Sequence, residues 1–289
     1  MKKIYYGILA AIAILVCWQI AVFITGKTCP DADSKPMERE MSPITVVSPD
    51  QKKHHIWFDD FTGEKLNSDF WRIHTGGQGW GNNELQYYTD KAENCYIENG
   101  CLVIKAIKEK YQEYGYTSAR ISTKGKVKLS GGRIDIKARL VKVKGLFAAF
   151  WLLPVNDTYG NYKKNSEIDI MEMIGENPKK IYGVAHYSFN KKYKAYGKYT
   201  SKTMDYSQDF HLYSLEWTRE RLTWLIDDKE YYSFNYMTEF SPDYQPFHQD
   251  FYLVINLAVG GDWPGFEIED SALPAKMLID YIKYDEQVE

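Results

Sequence analysis

The sequence predicts an all-β fold, an antiparallel β-sandwich of two stacked sheets, and three observations carry that prediction. The run Arg133-Ile134-Asp135-Ile136-Lys137-Ala138-Arg139-Leu140 alternates charged and apolar residues without a fault, as a strand with one wet face must. Further aromatic or β-branched runs recur between turn signals such as Asn99-Gly100, Gly131-Gly132 and Asp227-Asp228. No stretch after residue 54 sustains a helical period, so there is no room for the crossover helices of a parallel sheet.

Taken in order, the strand candidates are Leu102 to Ile107, Arg133 to Leu140, Leu146 to Leu153, Ile181 to Tyr187, Phe210 to Trp217, Arg221 to Ile226, Phe251 to Val259 and Leu278 to Tyr284. They form one unit, residues 54–289, with no internal repeat and no further boundary. A formal net charge of -3 offers no basic field for a phosphate backbone, which argues against nucleic acid as a partner. The aromatic content is high, with 8 Trp, 24 Tyr and 13 Phe in 289 residues. Such rings suit β-sheets, and they also suit ligands with flat apolar faces, of which pyranose sugars are the commonest polymeric kind.

The N-terminus reads differently. Lys2 and Lys3 precede 21 uncharged residues from Ile4 to Ile24, enough for a helix to cross a hydrocarbon core of about 30 Å. Residues 1–26 are therefore expected to be a signal-anchor or signal peptide, with the chain beyond Lys27 outside the cytoplasm, either anchored to the membrane through residues 4–24 or secreted. Residues 27–53, carrying Pro30, Pro36, Pro43 and Pro49, read as a disordered linker. An Asn99-Gly100 hairpin turn pairs residue 98 with 101 and 95 with 104. Cys95 and Cys101 then face opposite sides, a poor geometry for a bridge, and two buried thiols are expected.

The chemistry is concentrated in Glu167-Ile168-Asp169-Ile170-Met171-Glu172. Three carboxylates on an otherwise apolar strand repel one another and cost free energy to desolvate, so stability does not select them. A solvated charged face is the bland explanation, and a hard-cation site is another. Ile168, Ile170, Met171, Met173 and Ile174 argue for a buried central strand instead. On a regular strand Glu167 and Asp169 share a face and Glu172 does not. One extra residue among Ile170, Met171 and Glu172, a β-bulge, brings all three to one cleft. Two carboxyls flanking a bond in different environments are the equipment of glycoside hydrolysis, and the middle acid can hold their proton affinities apart.

This hexad resembles the bulged active-site signature of glycoside hydrolase family 16, laminarinase-like (endo-β-1,3-glucanase) members. The segments Gly79 to Thr89 (GWGNNELQYYT), Thr117 to Ile121, Ala149 to Leu153, Gly183 to Tyr187 and Asn256 to Gly265 (NLAVGGDWPG) are similar to laminarinase-type segments in the same order. The resemblance spans about Ile56 to Tyr284. It implies a concanavalin-like β-jelly-roll with a long concave cleft and retaining cleavage, Glu167 as nucleophile, Asp169 as its helper, Glu172 as acid/base and His186 beside it. It implies substrate contacts from Trp80, Asn82, Arg120, Trp151 and Trp263, no catalytic cofactor, and a structural calcium on the convex face held by the Asp280 side chain with the carbonyls of Asp60 and Gly100. The expected activity is endo-hydrolysis of β-1,3-glucan by a monomer. Mixed-linkage glucan, an algal galactan, or a silent glucan-binding protein on the same fold are the alternatives. Two departures from the pattern stand out: Tyr162-Lys163-Lys164-Asn165-Ser166 replaces a common Trp-Pro-x-x-Gly, and Asp262 stands where Asn is expected.

Overall fold

The computed structural model describes residues 56–286 apart from 157, 160–165, 190–191, 201–203 and 238. The expected membrane segment and linker lie outside the described residues, among which no helix is long and apolar enough to cross a membrane. The chain runs through β1 (Ile56–Asp59), β2 (Arg72–His74), β3 (Gln86–Tyr88), β4 (Cys95–Glu98), β5 (Cys101–Tyr111), β6 (Tyr114–Ser118), β7 (Arg120–Ser122), β8 (Gly132–Arg139) and β9 (Leu146–Pro154). It continues through β10 (Glu167–Ile174), β11 (Tyr182–Phe189), β12 (Lys192–Tyr199), β13 (His211–Trp217), β14 (Arg221–Ile226), β15 (Lys229–Asn235), β16 (Phe251–Val259) and β17 (Ala275–Asp285).

Among the described residues these strands make a ten-stranded and a seven-stranded sheet. The first runs β15-β14-β13-β8-β17-β5-β6-β3, with β1 on β17 and β4 on β5. The second runs β12-β11-β10-β9-β16-β7-β2. All ladders are antiparallel except β3 with β6, which is parallel. The alternation of β8 does what its pattern requires: Ile134, Ile136 and Ala138 are fully buried between the sheets while Arg133, Asp135 and Lys137 stay half-buried on the outer face. Phe251–Val259 is buried throughout, which fits its place between β9 and β7. Inner-face side chains such as Leu102, Ile104, Phe150, Leu152, Ile168, Met171, Ile255 and Leu257 fill the core.

The turn signals behave as read. Asn99 and Gly100 adopt φ of 53° and 75°, Asp227 and Asp228 φ of 50° and 58°, the left-handed pairs that two-residue hairpins need. Residue 98 pairs with 101 and 95 with 104, so Cys95 does not bridge to Cys101. The expectation of two free thiols is met at Cys95, whose thiol burial pushes up to about 12, and not at Cys101. Cys101 is disulfide-bonded, with its partner outside the described residues. Parity on one hairpin excludes that one pairing and says nothing about a cysteine arriving from elsewhere.

The strands absent from the sequence prediction are the short ones and β12 and β15. Every residue of β12 is exposed, so no apolar alternation marks it. It is a strand because β11 supplies a full ladder of partners from Tyr182 with Tyr199 to Phe189 with Lys192.

Candidate active site

The site is built on β10, and an irregularity in its ladders makes it. Against β9, Asp169 pairs with Trp151 and Met171 with Phe150, so two steps on β10 oppose one on β9. Against β11, Asp169 pairs with Val184 and Glu172 with Tyr182, three steps against two. One residue is therefore extra, centred on Ile170, and the parity of the strand inverts there. Glu167, Asp169 and Glu172 consequently lie opposite His186, Val184 and Tyr182, alternate residues that share one face of β11. The interruption begins at Asp169, one residue earlier than the sequence suggested. The carbonyl of Asp169 accepts a 2.8 Å hydrogen bond from the buried indole N–H of Trp224, on the opposite sheet, so the backbone at the bulge is tied across the sandwich.

The acids sit in a field of cross-strand partners. One row of register neighbours crosses the seven-stranded sheet as His74, Arg120, Asn256, Ala149, Glu172, Tyr182 and Tyr199. The next row is Arg72, Ser122, Val254, Trp151, Asp169, Val184 and Gly197. The small cluster of Phe147, Ala149, Ile174 and Ala258, with Trp151 against it, forms an apolar floor separate from the main core. This is a concave face with charge at its centre and flat or small residues around it, suited to a ligand with alternating apolar faces and hydroxyl edges.

Each residue singled out from sequence has a definite place on or beside this face. The Arg120 guanidinium lies over two indoles, 4.8 Å from the Trp80 ring and 4.7 Å from the Trp151 ring. Trp151 donates its ring N–H to Asn256 Oδ1 at 2.8 Å. Trp80 donates to the Gly76 carbonyl at 3.0 Å and meets Tyr88 edge-on, so it is half-buried with one side packed. Trp263 is 39% exposed and stands edge-on to Phe147 and Tyr182, both residues of the cleft face. Asn82 acts in part through its backbone, its carbonyl accepting the Asp262 N–H at 2.9 Å. A Cβ on Gly261 would stand 2.7 to 2.8 Å from Asn82 atoms, so only glycine lets the two loops approach so closely.

The departure at Asp262 has a local reason. Its carboxylate accepts the Asn83 amide at 2.9 and 3.1 Å, bolting the Trp80 loop to the Trp263 loop. The other departure, at 162–165, lies outside the described residues. Asp60, Gly100 and Asp280 are not part of this site. Asp280 is the inserted residue of a second bulge, between Ile279 and Tyr281, where β17 exchanges β5 for β1 as its neighbour.

His186 Nε2 stands 2.8 Å from Asp169 Oδ2 and 4.0 Å from Glu167 Oε1. Burial raises Glu167 to about 8, with the Asp169 charge adding to it and the Arg120 charge opposing it. Burial likewise raises Asp169 and Glu172, and at Glu172 the charges of Asp169 and Glu167 add to it. All three carboxyls are therefore held above the usual carboxylate range, by burial first and then by one another's charges. Glu167, Asp169 and His186 also offer ligand atoms within 4.8 Å of one another, so a cation could be held here. The third acid and the sugar-sized aromatic surround point instead to two-carboxylate chemistry.

Sequence reasoning missed His74, Asn256, Tyr182 and Tyr193. His74 accepts or donates at Ser122 Oγ, 2.7 Å away, and is lowered to about 4 by burial and then by the charges of Arg120, Arg72 and Lys124, so it is a neutral neighbour of Trp80. Its strand is three residues long, too short for a period. Asn256 and Tyr182 lie within or beside segments already quoted, and only the register shows that they flank Glu172 in one row.

The raised carboxyls make a stability prediction. The unfolded Glu167 loses its proton near 4.5 and the folded one near 8, so the folded state binds the proton more tightly and its advantage is lost as pH rises through that window. Glu167→Gln, which carries no charge at any pH, is expected to match the parent melting temperature below pH 4.5 and to exceed it by several degrees at pH 8.5. A constant difference across the range, read by calorimetry, would remove the buried-charge account.

Comparison with known proteins agrees with this geometry. A β-glucanase of Rhodothermus marinus is 39% identical over 244 residues, covering 81% of this chain and 85% of the relative. A glucan endo-1,3-β-glucosidase of Cryptopygus antarcticus is 37% identical over 225 residues, 73% of this chain and 82% of the relative. The X-ray structure of the laminarinase from Rhodothermus marinus superposes with a TM-score of 0.74 at 37% identity, covering 81% of this chain and 97% of the other. The profile of Glycosyl hydrolases family 16 matches residues 77–283, a span that holds the bulged acids, both tryptophan loops and Arg120, and the chain belongs to that family.

Proposed function

We propose that this glycoside hydrolase is an endo-acting, retaining enzyme that cleaves β-1,3-glucan. The observation that carries the reading is the bulge at Ile170, which leaves Glu167, Asp169 and Glu172 opposite alternate residues on one face of β11, all three with carboxyls raised by burial. The Glu167 carboxylate attacks the anomeric carbon as the C1–O bond to the leaving sugar breaks, and Glu172 gives its proton to that oxygen. Glu172, now a carboxylate, takes a proton from water. The hydroxide attacks C1, the glycosyl-Glu167 bond breaks, and the β-configuration returns. Asp169 and His186 hold the nucleophile's surroundings, and Trp80, Arg120, Trp151 and Trp263 are the sugar-facing surfaces.

Azide separates the two glutamates. Glu167→Ala is expected to be inactive on laminarin-type glucan, with azide rescuing cleavage through the open face to give an α-glycosyl azide. Glu172→Ala should still form the glycosyl-enzyme from an activated aryl glycoside and give the β-azide. An α-anomer formed first by the intact enzyme, seen by NMR, would mean inversion and would remove Glu167 as a covalent nucleophile. A panel of mixed-linkage glucan and algal galactan in the same assay ranks the linkage preference, and a chain that binds glucan without cleaving any of them is a binding protein.

A structural calcium is part of the proposal. The register brings the end of β1 after Asp59 and the start of β5 before Leu102 to the Asp280 bulge, where a buried carboxylate meets two chain turns with carbonyls to offer. Chelation is expected to lower the melting temperature and added calcium to restore it, with activity below the melting transition unchanged. A melting temperature indifferent to both removes the site.

The location is extracytoplasmic, supported by Lys2, Lys3 and the uncharged run Ile4 to Ile24, with residues 27–53 as a linker. A chain starting near Gln51 should be soluble and fully active while the full chain sediments with membranes or is exported. Loss of the fold on truncation would show that residues 27–50 belong to the sandwich.

A further inference from the structure

Tyr193 is an exposed tyrosine on an edge strand, and its contacts point inward. It lies on the cleft face of β12, opposite Ser188 and one pleat from Ala195, which pairs with His186. Its ring stacks on the His186 imidazole, with centroids 5.7 Å apart and planes at 20°. Its hydroxyl is hydrogen-bonded to His186 Nδ1. The other ring nitrogen, Nε2, is the one 2.8 Å from Asp169 Oδ2 and 4.0 Å from Glu167 Oε1. Half of the Tyr193 surface faces solvent, so burial is not its reason for being aromatic.

We propose that Tyr193 is a positioning residue for the reaction: its hydroxyl donates to His186 Nδ1 and so fixes the neutral imidazole as the tautomer that carries its proton on Nε2, the nitrogen 2.8 Å from Asp169 Oδ2. An imidazole nitrogen that accepts a hydrogen bond leaves the proton to the other nitrogen, which is how one neighbour sets the chemistry of the far side of the ring. The phenol is a dependable donor here, since burial and the charges of Glu167, Asp169 and Glu172 all favour its protonated form. The groups facing the pair are Glu167, Asp169 and Glu172 on β10 and, on β12, Tyr193 itself. With the other tautomer, an Nε2 lone pair would stand 2.8 Å from the Asp169 carboxylate oxygen.

Tyr193→Phe keeps the stacked ring and removes the donor. The inference rests on the glycosidase reading for its kinetic readout, whereas its spectroscopic readout does not. In the intact enzyme the His186 nitrogen-15 shifts should report a protonated Nε2, and in Tyr193→Phe a mixture with protonated Nδ1. On glucan oligosaccharide, kcat should fall about three- to tenfold, the worth of one neutral hydrogen bond, with KM and melting temperature unchanged. Tyr196→Phe, on the other face of the same strand and stacked on Phe234, should change neither. An unchanged tautomer in Tyr193→Phe overturns the proposal, and so does a rise in KM with kcat intact, which would make Tyr193 a sugar contact. A wild-type enzyme without glucanase activity would refute the glycosidase reading, and the tautomer measurement would still decide the role of Tyr193.

Discussion

Everything in the cleft depends on the one residue that does not fit the ladder. A strand alternates faces, so residues an even number apart share a face, and Glu167 and Glu172 are five apart. Without an insertion Glu172 would face the core, where Met171 and Met173 now pack. The extra residue at Ile170 inverts the parity once, sending Met171 and Met173 inward and Glu172 outward with the same step. The hydrophobic pattern and the chemistry are therefore set by a single local event. Its backbone consequence is contained by Trp224, which reaches from β14 to the Asp169 carbonyl. The bulge is thus held from behind by the core and expressed in front as chemistry.

Three desolvated carboxyls are unfavourable for the fold, and the sheet around them is arranged to limit that cost without abolishing it. Arg120 opposes the rise at Glu167. Arg120 reaches this position because it sits in the same cross-strand row as Glu172, pressed between Trp80 and Trp151. The two indoles thereby orient a charge that acts on Glu167.

Much of this was legible in the sequence wherever a side chain's periodicity and its role coincide. The faultless alternation of β8 gives a strand with one wet face, and the parity of Glu167, Asp169 and Glu172 demands a bulge that the register then displays. Positive φ at Asn99-Gly100 and Asp227-Asp228 is written in the residue types. What escaped was decided by neighbours rather than by local pattern. β12 is exposed along its length and exists because β11 pairs with it, so neither the strand nor Tyr193 has a signature. The Cys101 bridge is not made within its own hairpin, and a hairpin argument reaches no further than that. Asp262 looked like a departure because its partner, Asn83, lies 179 residues away.

The edges of the cleft follow the same logic as its centre. Strand register fixes the acids to within a side chain, but register alone leaves the loops that carry Trp80 and Trp263 free to drift. They are joined to each other instead: Asn83 to Asp262 through side chains, Asn82 to Asp262 through the backbone, and Leu85 to Val259 at the sheet. Glu84, buried between them, is neutralised in effect by donors from Gln86 and Tyr88, and Gln86 in turn accepts from the Val259 N–H. The two tryptophan loops are thus bound to each other by side-chain and backbone hydrogen bonds, and through Leu85 and Val259 to the sheet whose register sets the acids.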